Sequence, residues 1–111
     1  MDAVLGRWYA QNTAWLVKIS YTKEAIADLE RLRKFIEPKN PFAARRNSSE
    51  LLDGIGNLHS FPKMGLPVAR APDPETIRDL FIGQYTVRYL LVEDHVVILR
   101  VWHGKEVEKD L

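Results

Sequence analysis

Hydrophobic and polar positions divide the chain into short regular segments. In Trp15 to Tyr21, WLVKISY, the residues Trp15, Val17, Ile19 and Tyr21 alternate with Leu16, Lys18 and Ser20, the period-two pattern of a half-buried strand. Thr22 then stands where a helix N-cap belongs, and Glu24 in the first turn favours the helix dipole. Ala25, Leu29, Leu32 and Ile36 follow at steps of four, three and four, one apolar stripe with Lys23, Glu30, Arg31 and Lys34 outside it. Pro38 stops this helix, and Asn40 with Pro41 starts another as N-cap and first residue. Ala44, Leu51, Ile55 and Leu58 continue the second helix, and the short connection makes the two an antiparallel hairpin. Gly54 and Gly56 within it are expected to allow close packing on a sheet.

From Pro62 to Glu75 five proline and glycine residues interrupt regular structure, and only Val68 to Ala71 is expected to pair, briefly, as an edge. Three strands follow: Ile77 to Ile82, Tyr85 to Val92 and Val96 to His103, with turns at Gly83 and Gln84 and at Glu93 to His95. The fold class predicted is α+β: an N-terminal strand, a two-helix antiparallel hairpin and a three-stranded antiparallel meander, with the helices on one face of the sheet. Residues 1–14 read as an appended N-terminal arm, 15–106 as the domain and 107–111 as a C-terminal tail.

Charge gives a test of register in the last hairpin. A two-residue loop at Asp94 and His95 pairs Tyr89 with Arg100, Arg88 with Val101 and Thr86 with His103. A three-residue loop puts Arg88 opposite Arg100, and like charges directly opposite are destabilising. The first register is therefore expected, with Arg88 and His103 as neighbours on one face.

The composition bounds the function. The chain has 111 residues, 46% hydrophobic and 28% charged, the size of one domain with one core. It holds no cysteine, which removes disulfides and thiolate metal sites and fits a cytoplasmic location. No apolar run approaches the roughly 20 residues a membrane helix needs, and Asp2 and Arg7 do not fit a secretory signal. A net charge of +1 supplies no global field toward a polyanion, so attention falls on the local cluster Arg70, Arg78, Arg88, Arg100 and Lys105. Arg88 beside His103 could hold a phosphate while the imidazole moves a proton. The same residues could instead rim a sheet edge or receive acidic groups of a protein partner. No carboxylate is tied to His103 by spacing, no metal site or cofactor is indicated, and His59 and His95, late in a helix and in a turn, are weaker candidates.

The motifs together resemble the RelE/ParE superfamily of type II toxin–antitoxin toxins. They are the helix start NPxAA (Asn40, Pro41, Ala43, Ala44), the turn LxxFPxxG (Leu58, Phe61, Pro62, Gly65), the strands IRDL and YxVRY, and the closing ILRVWHG. The resemblance covers residues 15 to 106. It implies a cognate antitoxin partner in a hetero-oligomer and one of two targets. The RelE-type branch cleaves mRNA on the ribosome. Its catalytic arginine follows a strand tyrosine, but here Tyr85 is followed by Thr86. The expected lysines are replaced by Arg78 and Asp79, and the tail KEVEKDL has no tyrosine. These departures favour the ParE-like branch, which poisons DNA gyrase without a known hydrolytic site. In that branch no residue is catalytic, and Arg70, Arg78, Arg88, His103 and Lys105 are expected at an antitoxin or target interface. Arg78 and Arg88 are the leading contacts, or else ion-pair partners of Asp79 or Glu93. The alternative is a ribosome-dependent endonuclease with His103 as acid or base and Arg78, Arg88 and Lys105 as phosphate binders.

Overall fold

The computed structural model describes residues 17–36, 41–72, 76–104 and 106, apart from the side chains at 35, 36 and 44. Strand β1 (Lys18–Tyr21) leads into helix α1 (Lys23–Ile36) and helix α2 (Pro41–Gly56), which runs on as a 3₁₀ turn at Asn57–His59. Then come β2 (Leu66–Pro67), β3 (Ile77–Ile82), β4 (Tyr85–Val92) and β5 (His95–His103). They form one five-stranded sheet in the order β1-β5-β4-β3-β2. The meander and the helical hairpin are as expected. The first strand is shorter than its pattern and joins β5 in parallel, which its crossover through both helices permits. The expected edge segment lies earlier: Leu66 and Pro67 pair with Asp79 and Arg78, after which Val68 N–H donates to Ile77 O at 3.0 Å. Trp15, Leu16, Pro38 and Asn40, the arm 1–14 and the tail 107–111 lie outside the described residues, as do the side chains of Ile36 and Ala44. Among the described residues no helix is long and apolar enough to cross a membrane.

The helices pack on one sheet face. Ala25, Leu32, Leu51, Ile55 and Leu58 meet Leu80, Tyr85, Val87, Tyr89, Val96, Ile98 and Val101 in one buried cluster. Gly54 lets α2 approach β3, since a Cβ there would lie 2.6 Å from Ile82 Cδ1. Gly56 faces open space, so close packing explains only one of the two glycines.

The register of the last hairpin corrects the expected one. The loop is Glu93 and Asp94, with Val92 opposite His95, so His95 opens the strand rather than sitting in the turn. Glu93 takes the left-handed conformation at φ 54. Tyr89 pairs with Ile98, but the next pair is Arg88 with Arg100, which leaves Leu99 as the extra residue of a β-bulge. The juxtaposition rejected on charge is thus the one adopted. It is tolerated because each guanidinium has its own carboxylate: Asp79 for Arg88 at 2.7 and 2.8 Å, and Asp28 for Arg100 at 2.8 and 2.9 Å. The bulge also moves every later side chain of β5 to the face opposite the expected one. Val101 enters the core, Trp102 lies opposite Thr86, and His103 lies opposite Tyr85 instead of Thr86.

Helix α1 supplies what the bulge and the open edge of β5 need. Thr22 Oγ1 accepts from Ala25 N–H at 3.0 Å, the expected N-cap, and donates to the bulge carbonyl of Leu99 at 2.9 Å. Beyond the last pair with β1, Asp28 Oδ2 accepts Val101 N–H at 2.9 Å and Arg31 Nη2 donates to Val101 O at 3.3 Å. Asp28 is 1% exposed. Burial alone would push its pKa up, but hydrogen bonds from Arg100, Val101 N–H and Arg31, with the charge of Arg100, outweigh this and hold it below the ordinary value.

On the opposite edge Tyr89 anchors the FPKMG turn. Its hydroxyl donates to Pro62 O at 2.6 Å and accepts from Gly65 N–H at 3.0 Å. Gly65 is required there, because a Cβ would lie 2.7 Å from Tyr89 Cε1 and 3.1 Å from Asp79 O. Burial raises the Tyr89 phenol, with the Gly65 bond and Arg78 opposing, and burial likewise raises Tyr21 and Tyr85.

Two predictions follow from these anchors. Asp28→Ala removes the buried carboxylate that Val101 N–H, Arg31 and Arg100 share and is expected to cost about 3 kcal/mol in urea unfolding. A loss below about 1 kcal/mol would show that Asp28 does not organise the edge. The three tyrosines have folded pKa values above their unfolded ones, so their contribution is complete below pH about 10 and is lost as pH rises further. Unfolding free energy should therefore fall as pH rises above about 10, and Tyr89→Phe should lower it by about 2 kcal/mol at neutral pH and weaken the alkaline loss.

Candidate functional site

Of the basic residues the sequence singled out, the fold sets Arg88 opposite Arg100 and sends Arg78 to the other face of the sheet. Arg78 is on β3, 7% exposed, and its Nη1 donates to Gly65 O at 2.8 Å and Lys63 O at 3.3 Å. It fastens the FPKMG turn to the sheet alongside Tyr89. Arg88, 5% exposed, lies on the other face of the sheet, held in a two-pronged ion pair by Asp79 of the neighbouring strand. Its guanidinium carbon also stands 5.0 Å from the centre of the Trp102 ring. Both internal roles follow from strand alternation, which sends residues 78 and 80 to the helices and 79 and 81 away from them.

The face away from the helices carries an open cleft of about 410 Å³ beneath the loop after β2. Phe81, Thr86, the Asp79–Arg88 pair and Trp102 form its floor, and Ala69 and Arg70 its side. Arg70 is exposed, as are Phe81 and Leu66, the residue opposite Asp79. Asp79 neutralises Arg88 within the sheet, and the exposed Phe81 ring shares the cleft with Arg70. That composition suits a protein partner with apolar and acidic groups better than a string of phosphates.

His103 is at the end of β5, away from Arg88. Its ring meets Tyr85 edge-on, with centroids 5.3 Å apart and planes at 87°. Its backbone N–H donates to Glu106 Oε1 at 2.9 Å, and Gly104 N–H donates to Gln84 O at 2.7 Å. Burial holds the Tyr85 phenol high, a hydrogen bond with the Asn47 side chain opposes this, and Glu50 raises it further. At neutral pH it is a protonated phenol and not a base. Tyr85 also closes one end of a cleft of about 390 Å³ between α1 and α2, lined by Leu29, Leu32, Arg33, Leu51 and Leu52. Lys105 lies outside the described residues. The other two histidines hold β1: His59 Nδ1 is 2.8 Å from Val17 O, and His95 Nε2 is 2.8 Å from Ser20 Oγ.

Sequence reasoning passed over Asp28 and Glu106, the two carboxylates that organise this end of the molecule. Asp28 carried a usable signal, since it falls three residues after Ala25 and four before Leu32, within the stripe that must be buried. Glu106 carried little, because its bond to His103 N–H is local but Arg31, which holds its carboxylate, meets it only through the tertiary fold.

Comparison with known proteins agrees with this architecture. Residues 19–108 match the family described as ParE toxin of type II toxin–antitoxin system, parDE. Toxin RelE2 of Caulobacter vibrioides is 30% identical over 90 residues, 80% of this chain and 97% of that protein. Among solved structures, the chromosomal ParDE system from P. aeruginosa superposes with a TM-score of 0.66 at 16% identity, covering 79% of this chain and 96% of that one. The toxin–antitoxin complex RelBE2 from Mycobacterium tuberculosis gives 0.58 at 23% identity, covering 79% and 98%. A match over most of the domain, carried by a fold of two helices on a five-stranded sheet, establishes that this chain belongs to the ParE toxin family of type II toxin–antitoxin systems, within the RelE/ParE superfamily.

Proposed function

We propose that this toxin acts in the cytoplasm by binding DNA gyrase and blocking it, and that a cognate antitoxin holds it inactive in a hetero-oligomer. The observation that carries the reading is the engagement of the sheet arginines. Arg88 gives its Nε and Nη2 to Asp79, and Arg78 gives Nη1 to two main-chain carbonyls. An endonuclease would need such groups turned toward the scissile phosphate, near a residue able to move a proton. His103 instead packs against Tyr85, on the opposite side of the sheet from the Arg88 cleft. The net charge of +1 agrees, because neutralising several phosphates calls for a stronger positive surface.

The antitoxin is expected on the cleft beside Trp102. Phe81 supplies apolar contact there, with Leu66 exposed on the neighbouring edge strand opposite Asp79 and Arg70 at the side of the cleft. Arg78 and Arg88 serve this surface by shaping it, and His103 with Lys105 belongs to the part that faces the target. The solved ParDE system and RelBE2 complex, both toxin–antitoxin systems, support a protein partner of this kind. The second reading, a ribosome-dependent endonuclease, draws support from the similarity to a toxin named RelE2.

Supercoiling by gyrase decides between them. Purified toxin should stop supercoiling or trap cleaved DNA, and addition of the antitoxin should restore activity. Unimpaired supercoiling together with position-specific mRNA cuts in translating ribosomes would overturn the proposal. His103→Ala gives an independent check: it should change growth inhibition by less than about threefold, whereas loss of a proton-transferring residue would cost roughly 100- to 10,000-fold.

A further inference from the structure

We infer that Glu106 is a positioning residue that fixes the turn after β5 for engagement with the target. This rests on the reading that the His103 turn faces the target. Strand β5 ends at His103, beyond the reach of β1, whose last pair is Tyr21 with Ile98. The chain that leaves it is therefore held by other contacts. One side is tied to the β3–β4 turn through Gly104 N–H and Gln84 O. The other side is tied by Glu106, which folds back on the strand end: its N–H donates to His103 O at 2.9 Å, and its Oε1 accepts His103 N–H at 2.9 Å.

The same carboxylate receives Arg31 of α1, with Nε 3.1 Å from Oε2 and Nη2 3.2 Å from Oε1. Arg31 is itself oriented by Asp28, at 2.6 Å from Nη1, and by Val101 O. A chain of charged contacts thus runs from the buried carboxylate of Asp28 through Arg31 to Glu106 and ends on the main chain of His103. A two-pronged arginine–carboxylate pair fixes direction as well as distance, so the orientation of the turn is inherited from α1. The Arg31 side chain is 37% exposed and that of Glu106 is 27% exposed, and ion pairs as accessible as this add little to global stability. Losing the contact should release the turn while leaving the domain folded. Because Glu106 holds the backbone of His103 through two hydrogen bonds, removing Glu106 should harm toxicity more than removing the imidazole.

Glu106→Ala and Glu106→Gln, compared with wild type and His103→Ala, test this. Growth inhibition, gyrase inhibition, antitoxin affinity, thermal midpoint and the His103 amide resonance would be measured. Glu106→Ala should need at least about tenfold more protein for inhibition, and Glu106→Gln, which keeps an acceptor but loses the charge, about threefold more. Antitoxin affinity should stay within about threefold and the midpoint within about 5 °C, while the His103 amide shifts. Unchanged potency of Glu106→Ala, or antitoxin affinity falling in parallel with potency, would overturn the assignment. If Glu106→Ala does not fold, Glu106→Gln decides by the same criteria. If wild type leaves gyrase untouched yet stops growth, the target reading fails, and the role of Glu106 is judged on growth inhibition alone.

Discussion

A single buried carboxylate sets the geometry of the sheet where β5 runs on past β1. Strand β1 stops at Tyr21, so the last turns of β5 have no neighbouring strand on that edge, and an open edge with buried backbone groups must find other partners. Asp28 answers this need by accepting Val101 N–H. It can be buried as a charge only because Arg31 and Arg100 meet it there. Arg100 reaches it from the bulge at Leu99, and the bulge carbonyl is in turn taken by Thr22, the residue that caps α1. Helix start, bulge and strand end therefore form one connected unit, and shifting any of them by one residue would break the others.

The bulge then decides what the surface offers. It sends Trp102 to the open face beside Arg88 and leaves His103 beside Tyr85. Cations that look available for phosphate in the sequence become internal fasteners: Arg78 to the FPKMG turn and Arg88 to Asp79. The remaining accessible groups are aromatic and aliphatic, with Arg70 at their margin. Surfaces of this kind recognise other proteins through packing and a few directed charges, and they provide little that would stabilise a developing oxyanion.

Much of the fold was legible because local patterns and tertiary structure agree. The stripe of Ala25, Leu29 and Leu32, the Thr22 cap, the helix start at Pro41 and the alternation of β3 and β4 all reappear as drawn. The register of β5 was not legible. The rule against opposed like charges assumes bare charges, and the carboxylate that neutralises Arg100 comes from residue 28, on another element. A bulge has no glycine or proline to announce it here, since the extra residue is Leu99. The parallel pairing of β1 with β5 joins segments more than 70 residues apart and leaves no mark on either one. The candidate site shared this limit. The sequence offers a set of basic side chains, but the partners that hold the described ones, Asp28, Tyr89 and Glu106 among them, come from elsewhere in the fold.

The sheet arginines serve as fasteners within the protein. The Nε–H resonances of Arg88 and Arg100 report on this role directly, because each is bonded to a carboxylate oxygen, at 2.7 and 2.8 Å. Followed by NMR during titration with a single-stranded RNA oligonucleotide, they should remain slowly exchanging and unshifted at saturating concentrations. A saturable shift of the Arg88 signal with release of Asp79 would contradict this role and place RNA in the cleft.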